Sequence, residues 1–292
     1  MRYRLKNHLL RIEVESKGAE LSSLVKIATE MEYMWQADPA IWGSHAPVLF
    51  PIIGVLKDGK TRINGEEYHI PKHGMIRHNE DLEFYSQTED RITFRLKCNE
   101  ETQKHYPYDF EFLVTYRLRN EHVIVYHEIY NEDTQPIYFC LGGHPAFRVP
   151  AFQGERYDDY QLRFENDEDS ESHEVLADGT IGPNTRPVPW KNGNILPLSH
   201  ELFEKDALVF KDLNSISVVL ESVRRGPVLK MDYAGWTHLG IWAKPNGDFV
   251  CIEPWMGLSD PHDSDGEFIN KEGIIKLDPN CVYEMSYDIK IL

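Results

Sequence analysis

The sequence predicts an all-β protein, a large antiparallel β-sandwich with few short helices, in one domain over residues 1–292. Three observations carry this expectation. Apolar and polar residues alternate with period two along most of the chain. Turn signals interrupt that alternation at intervals of about 8–12 residues. Helical stretches are short, and no βαβ alternation announces a parallel sheet.

The elements follow in order. Asn64-Gly65 between residues 61–63 and 66–70 reads as a two-residue hairpin turn. Residues 91–98 place Ile92, Phe94, Leu96 and Cys98 on one face and Arg91, Thr93, Arg95 and Lys97 on the other. Residues 111–119 repeat the pattern with Phe112, Val114, Tyr116 and Leu118 inward, and Asn120-Glu121 turns the chain into a strand over 122–130. Pro245-Asn246-Gly247 separates 239–243 from 249–253. Short helices are expected at 39–44, 101–105 and 199–205, and the acidic run ENDEDSESHEVLAD (165–178) as an exposed loop.

Composition excludes several classes. Acidic residues outnumber basic ones 48 to 31, a formal charge of −17, which repels nucleic acid and anionic membranes. No run reaches the roughly 18 apolar residues of a membrane span, and the N-terminal apolar stretch is broken by Arg11 and Glu13, unlike a signal peptide. Cys98, Cys140, Cys251 and Cys281 form no CxxC pair and sit in or beside apolar segments; they read as buried, reduced thiols of a cytoplasmic protein. The 13 histidines show no HExxH spacing, the aspartates at 260–265 lack a calcium-loop ladder, and neither GxSxG nor a phosphate-binding glycine loop occurs. No metal and no cofactor are expected.

Three polar groups stand out at the ends of apolar segments. In FVCIEPWMGLSD (249–260), Glu253 is expected where a strand runs out before Pro254, on the face shared by Phe249 and Cys251. In YFCLGGHPAF (138–147), His144 follows two glycines that allow close approach of backbone or ligand. In PKHGMIRHNE (71–80), His73 and Arg77 lie in a loop. Each has a structural alternative: a buried Glu satisfied by hydrogen bonds, a structural His, a solvated loop with chance cations. Together they are an acid–base kit without nucleophile or metal. Arg77 offers a forked donor to hydroxyls or a carboxylate. Trp42 and Trp255 offer faces for a sugar's C–H surface, with core packing the alternative for either taken singly.

The order HGMIR, LGGHPAF, CIEPWMG resembles the aldose 1-epimerase (galactose mutarotase) family, and within it the LacX-like branch. GAELSSLV (18–25), WGSHAPVLFPIIG (42–54), FEKDALVFKDL (203–213) and GEFINKEGIIKLDPN (266–280) extend the likeness over nearly the whole chain. The resemblance implies a galactose mutarotase-like supersandwich whose cleft gathers Glu253 as general base, His144 as general acid, His73 as a second active-site histidine, and Arg77 and Asp206 as substrate-binding residues. It implies interconversion of the α and β anomers of a free hexose, with a small sugar as the partner. The alternatives are a hexose-6-phosphate 1-epimerase, which calls for clustered cations at the cleft, and a non-catalytic sugar-binding protein. His45, where this branch is expected to carry arginine, and Met75, where an aromatic residue is common, depart from the pattern and are expected to reshape the pocket. Oligomeric state, monomer or dimer, is not legible.

Overall fold

The computed structural model describes residues 1–292. Two large antiparallel sheets face each other. One has nine strands, with Val282–Ile291, His122–Asn131 and Phe110–Arg119 adjacent at its centre. The other has eight, built around His238–Trp242 and Phe249–Met256, with Leu141–Gly143 and Ala146–Arg148 along the far flank of the latter. A four-stranded N-terminal sheet runs from Arg2–Lys6 to Met31–Glu32. The sandwich is the one expected from the alternation, which is cleanest in His122–Asn131, where every second residue from Val123 to Asn131 is buried.

A single cluster of 66 buried apolar residues draws on all three sheets. Close approach of the two large sheets uses the glycines before His144. A Cβ on Gly143 would stand 2.7 Å from the Tyr287 ring of the opposite sheet, so only glycine fits without a shift. A smaller cluster of eight residues, including Trp255, Val209 and Leu258, lies apart from this core. Trp255, Val209 and Leu258 also line the cleft described below.

Several local expectations are corrected. Residues 39–41 form a turn, while Glu100–Gln103 is the α-helix, closed by an Asn99–Thr102 capping box, and His200–Phe203 is a 3-10 turn. The acidic run is not simply an exposed loop. Glu168 is buried because its carboxylate accepts the Asn214 and Ser215 backbone N–H groups at 3.0 and 2.8 Å, and Ser172–Val175 joins the eight-stranded sheet. Of the four free cysteines only Cys140 and Cys251 are buried; Cys98 is half-buried and Cys281 exposed. No helix is long and apolar enough to cross a membrane.

His127 is an anomaly inside the core. It is fully buried against Phe112, Trp236 and Tyr287, and neither ring nitrogen makes a well-formed hydrogen bond, the Met285 backbone offsetting its burial only in part. Burial pulls its pKa down to about 4. An unfolded histidine titrates near ~6.5, so the unfolded chain takes up this proton first and stability is lost as pH falls from there toward the folded value. His127→Leu is therefore expected to stabilise the protein by about 1–2 kcal/mol at pH 8, and by more at pH 5. Urea midpoints at the two pH values check this; an equal gain at both would mean that the imidazole stays unprotonated in the unfolded chain or is solvated in the core.

Candidate active site

Glu253 does not sit where a strand ends. Phe249–Met256 continues through Pro254, and residues 251–255 pair with His238–Trp242 along their whole length. The interruption is in the neighbour on the other flank. Residues 141–142 pair with 255–256 and residues 146–148 with 249–251, leaving His144 and Pro145 in a break opposite the middle of the strand. A proline, which has no N–H to give, is tolerated inside this sheet because one flank there lacks a regular ladder. The same break frees His144 to turn its ring toward Glu253.

His144 and Glu253 meet closely: Nε2 and Oε2 are 3.2 Å apart, with both side chains almost fully buried. The imidazole is held by aromatic faces, stacked on Trp42 at 5.0 Å between ring centroids and edge-on to Trp242 at 5.7 Å and to His73 at 5.6 Å. Its Nδ1 has no partner. Burial, and then the Arg77 charge, push the His144 pKa down to about 3. Burial pushes the Glu253 carboxyl well above the usual carboxylate range, and Asp206 adds to this, while Lys72 and Arg77 partly offset it. Both shifts favour the uncharged forms of the unliganded pair, a neutral imidazole beside a protonated carboxyl.

His73 is fixed by backbone rather than by a side chain. Its N–H donates to the Gly54 carbonyl at 2.7 Å, and its Nδ1 accepts the Gly54 N–H at 3.2 Å. With Nδ1 accepting, the neutral ring carries its proton on Nε2. Burial, reinforced by the His144 and Lys72 charges, keeps it neutral. Gly54 must be glycine: its φ is +61°, and a Cβ would fall 1.8 Å from Ser259 Oγ. Arg77 donates to Ser44 Oγ at 3.3 Å, and its Nε is buried without a partner.

These groups surround a cavity of about 310 Å³, at the small end of the roughly 300–1,000 Å³ range of ligand sites. Glu253, His144, His73, Arg77, Asp206, Trp42 and Trp255, all expected from the sequence, line it. His45 and Met75 do not. Met75 packs on the core, and His45 serves through its backbone, donating to the half-buried Glu20 carboxylate and accepting from Ala146 N–H. Neither departure reshapes the pocket directly. Sequence reasoning missed Trp242, Lys72 and Lys244. Lys72 adjoins His73 in a segment read as chance cations, and Lys244 opens a turn read only for its conformation.

A family profile described as aldose 1-epimerase matches residues 1–276. The chain belongs to the aldose 1-epimerase family. It is 33% identical, over the full length of both chains, to the plasmid-encoded protein LacX of Lactococcus lactis subsp. lactis. It superposes with a TM-score of 0.92 on a galactose mutarotase related enzyme from Lactobacillus acidophilus, at 33% identity, covering 100% of this chain and 97% of that one. A galactose mutarotase-like protein from Lactobacillus casei, 26% identical, superposes at 0.93 with both chains fully covered. Membership in the aldose 1-epimerase family implies a sugar substrate, and the fold is the galactose mutarotase-like sandwich expected from the three motifs.

Proposed function

We propose that the protein is a mutarotase acting on a free hexose, with Glu253 as general base, His144 as general acid and His73 as a donor that orients the sugar. One observation carries the reading: the 3.2 Å separation of His144 Nε2 and Glu253 Oε2. The two oxygens that exchange protons in mutarotation, the anomeric hydroxyl and the ring oxygen, are bonded to one carbon. An acid and a base this close together can reach both from one side.

The pair's single proton then suffices for a full cycle. With Glu253 ionised and His144 protonated, the carboxylate takes the proton from the C1 hydroxyl as Nε2–H gives its proton to the ring oxygen. The bond from C1 to the ring oxygen breaks and C1 becomes a carbonyl. The pair is now a carboxylic acid beside a neutral imidazole, the state that burial favours in the empty cleft. Rotation about C1–C2 presents the other carbonyl face, the transfers run backwards, and the ring closes as the opposite anomer. Arg77 and Asp206, which line the cavity, are assigned to the sugar's hydroxyls, and Trp42 and Trp255 to its apolar surface. We also take residues 1–292 as one domain, because the main core cluster draws on all three larger sheets.

A second reading has specific support. Lys72 and Lys244 line the cleft with Arg77, a set of cations suited to the phosphate of a hexose 6-phosphate. A saturation-transfer NMR screen across free and phosphorylated hexoses decides between them. We expect a higher kcat/KM for a free hexose, and Lys72→Ala or Lys244→Ala within about threefold of the parent, since exposed charges are worth ~1 kcal/mol or less. Higher kcat/KM for glucose 6-phosphate, lost in the lysine variants, would replace the first reading by the second. Tight sugar binding without interconversion would remove both.

A further inference from the structure

Behind the acid–base pair lies a third donor that mutarotation does not use. Cys251 is two residues before Glu253 on the same strand and therefore on the same face. It is fully buried and not disulfide-bonded. One ligand atom each from Cys251, His144 and Glu253 lies within 4.8 Å of the other two. His144 Nδ1 is a buried polar atom without a hydrogen-bond partner, and Glu253 Oε2 faces only His144 Nε2 at 3.2 Å, so the protein leaves donor capacity in this cluster unused.

From this cluster we propose that the cleft binds a thiophilic divalent cation of the zinc class through Cys251, His144 and Glu253, and that the bound ion inhibits sugar turnover. Thiolate, imidazole and carboxylate are the donors zinc takes, and ligand bonds of about 2.0–2.3 Å place neighbouring donor atoms about 3.5 Å apart. Small side-chain rotations bring a trio already within 4.8 Å to that spacing. Charge favours the same ion. A dication with one thiolate and one carboxylate is neutral overall, which removes most of the cost of burying it. The thiol proton, and the proton of the acid–base pair, leave to solvent as the ion binds. The ion enters from the cleft, which Glu253 and His144 line and behind which Cys251 lies. Magnesium and calcium, which prefer all-oxygen shells, are not expected to compete. The ion is an inhibitor, since it occupies both groups that the proposed reaction needs free.

The inhibition rests on the mutarotase reading; the binding does not, and the test separates them. The parent protein, Cys251→Ala and Cys251→Ser are titrated with zinc chloride in a non-chelating buffer, with anomer interconversion as one readout. Cobalt(II) absorption, which shows a thiolate-to-metal band, is the other. We expect zinc to inhibit the parent reversibly, with EDTA restoring the rate. Both variants should keep the basal rate and need more than about 100-fold more zinc, since even outer-shell partners of a metal ligand are worth about 10–100-fold. The cobalt band should appear in the parent and in Cys281→Ser, and vanish in both Cys251 variants. Equal zinc sensitivity in parent and Cys251→Ala, or a cobalt band that survives there, overturns the proposal. A cobalt band that depends on Cys251, in a protein that interconverts no sugar, upholds the metal site and overturns the mutarotase reading alone.

Discussion

Replacing Glu253 by glutamine is expected to cost about 10²–10⁴-fold in the catalysed rate of anomer interconversion, the range one positioned general base supplies. Glutamine keeps the size of the side chain and cannot take the hydroxyl proton. Loss of fold does not explain such a result, and the sign of the pKa shift shows why. Burial raises the Glu253 carboxyl well above its ordinary value, so the protonated form stabilises the fold and that contribution is lost as pH rises through the folded pKa. An amide never ionises, so Glu253→Gln should unfold at higher urea than the parent under alkaline conditions. A variant that is at least as stable and nearly inactive assigns the loss to chemistry. Rates close to the parent's would remove Glu253 as the base.

The same pair dictates the pH profile. A pair that works with one proton fails when it gains a second or loses the only one. His144 is held down to about 3, so gain of the second proton comes far below the ordinary histidine value of ~6.5. The acid limb of kcat/KM is therefore expected well below pH 6, as a property of the pair rather than of either residue. The basic limb follows the raised carboxyl and should vanish in Glu253→Gln. An acid limb near pH 6.5 would mean that His144 titrates as a solvated imidazole and that the pair does not share its proton.

Much of this was legible in the sequence, for physical reasons that can be named. Alternation fixes which face of a strand is buried, so the inward set of residues 91–97 and 111–119 reads directly. Hairpin turns such as Asn64-Gly65 declare themselves because few residues tolerate their backbone. The polar groups Glu253, His144 and His73 were visible because each interrupts an apolar or glycine-rich setting. What was not legible depends on partners distant in sequence. Pro254 looked like a strand terminator because the break that accommodates it lies at residues 143–145, on another strand. Glu168 looked like surface because the N–H groups that satisfy it come from residues 214 and 215. Trp242 drew no reading of its own, and only the neighbouring strand shows that it walls the cleft.

Lys271→Met is expected to destabilise the protein by about 3–5 kcal/mol, the cost of leaving one member of a buried ion pair alone. Lys271 and Asp260 contact each other with both side chains almost wholly buried. The pair is joined to the cleft through short links. The second Asp260 carboxylate oxygen accepts the Lys57 N–H at 3.0 Å, and Ser259 Oγ accepts the Val55 N–H at 2.9 Å. The segment clamped in this way directly follows Gly54, whose carbonyl and N–H set the position and tautomer of His73. The large cost measures the stranded Asp260 charge rather than the net worth of the pair, and a second variant separates the two. Asp260→Asn with Lys271→Met removes both charges yet leaves an amide oxygen for the Lys57 N–H, so it should recover most of the loss in urea unfolding. If the double variant is as unstable as the single one, the stranded charge is not the cause, and packing of the Lys271 stem must be. If it recovers stability but sugar interconversion stays slow, the ion pair also holds the Gly54–His73 contact in register, which links a buried charge pair to the geometry of the cleft.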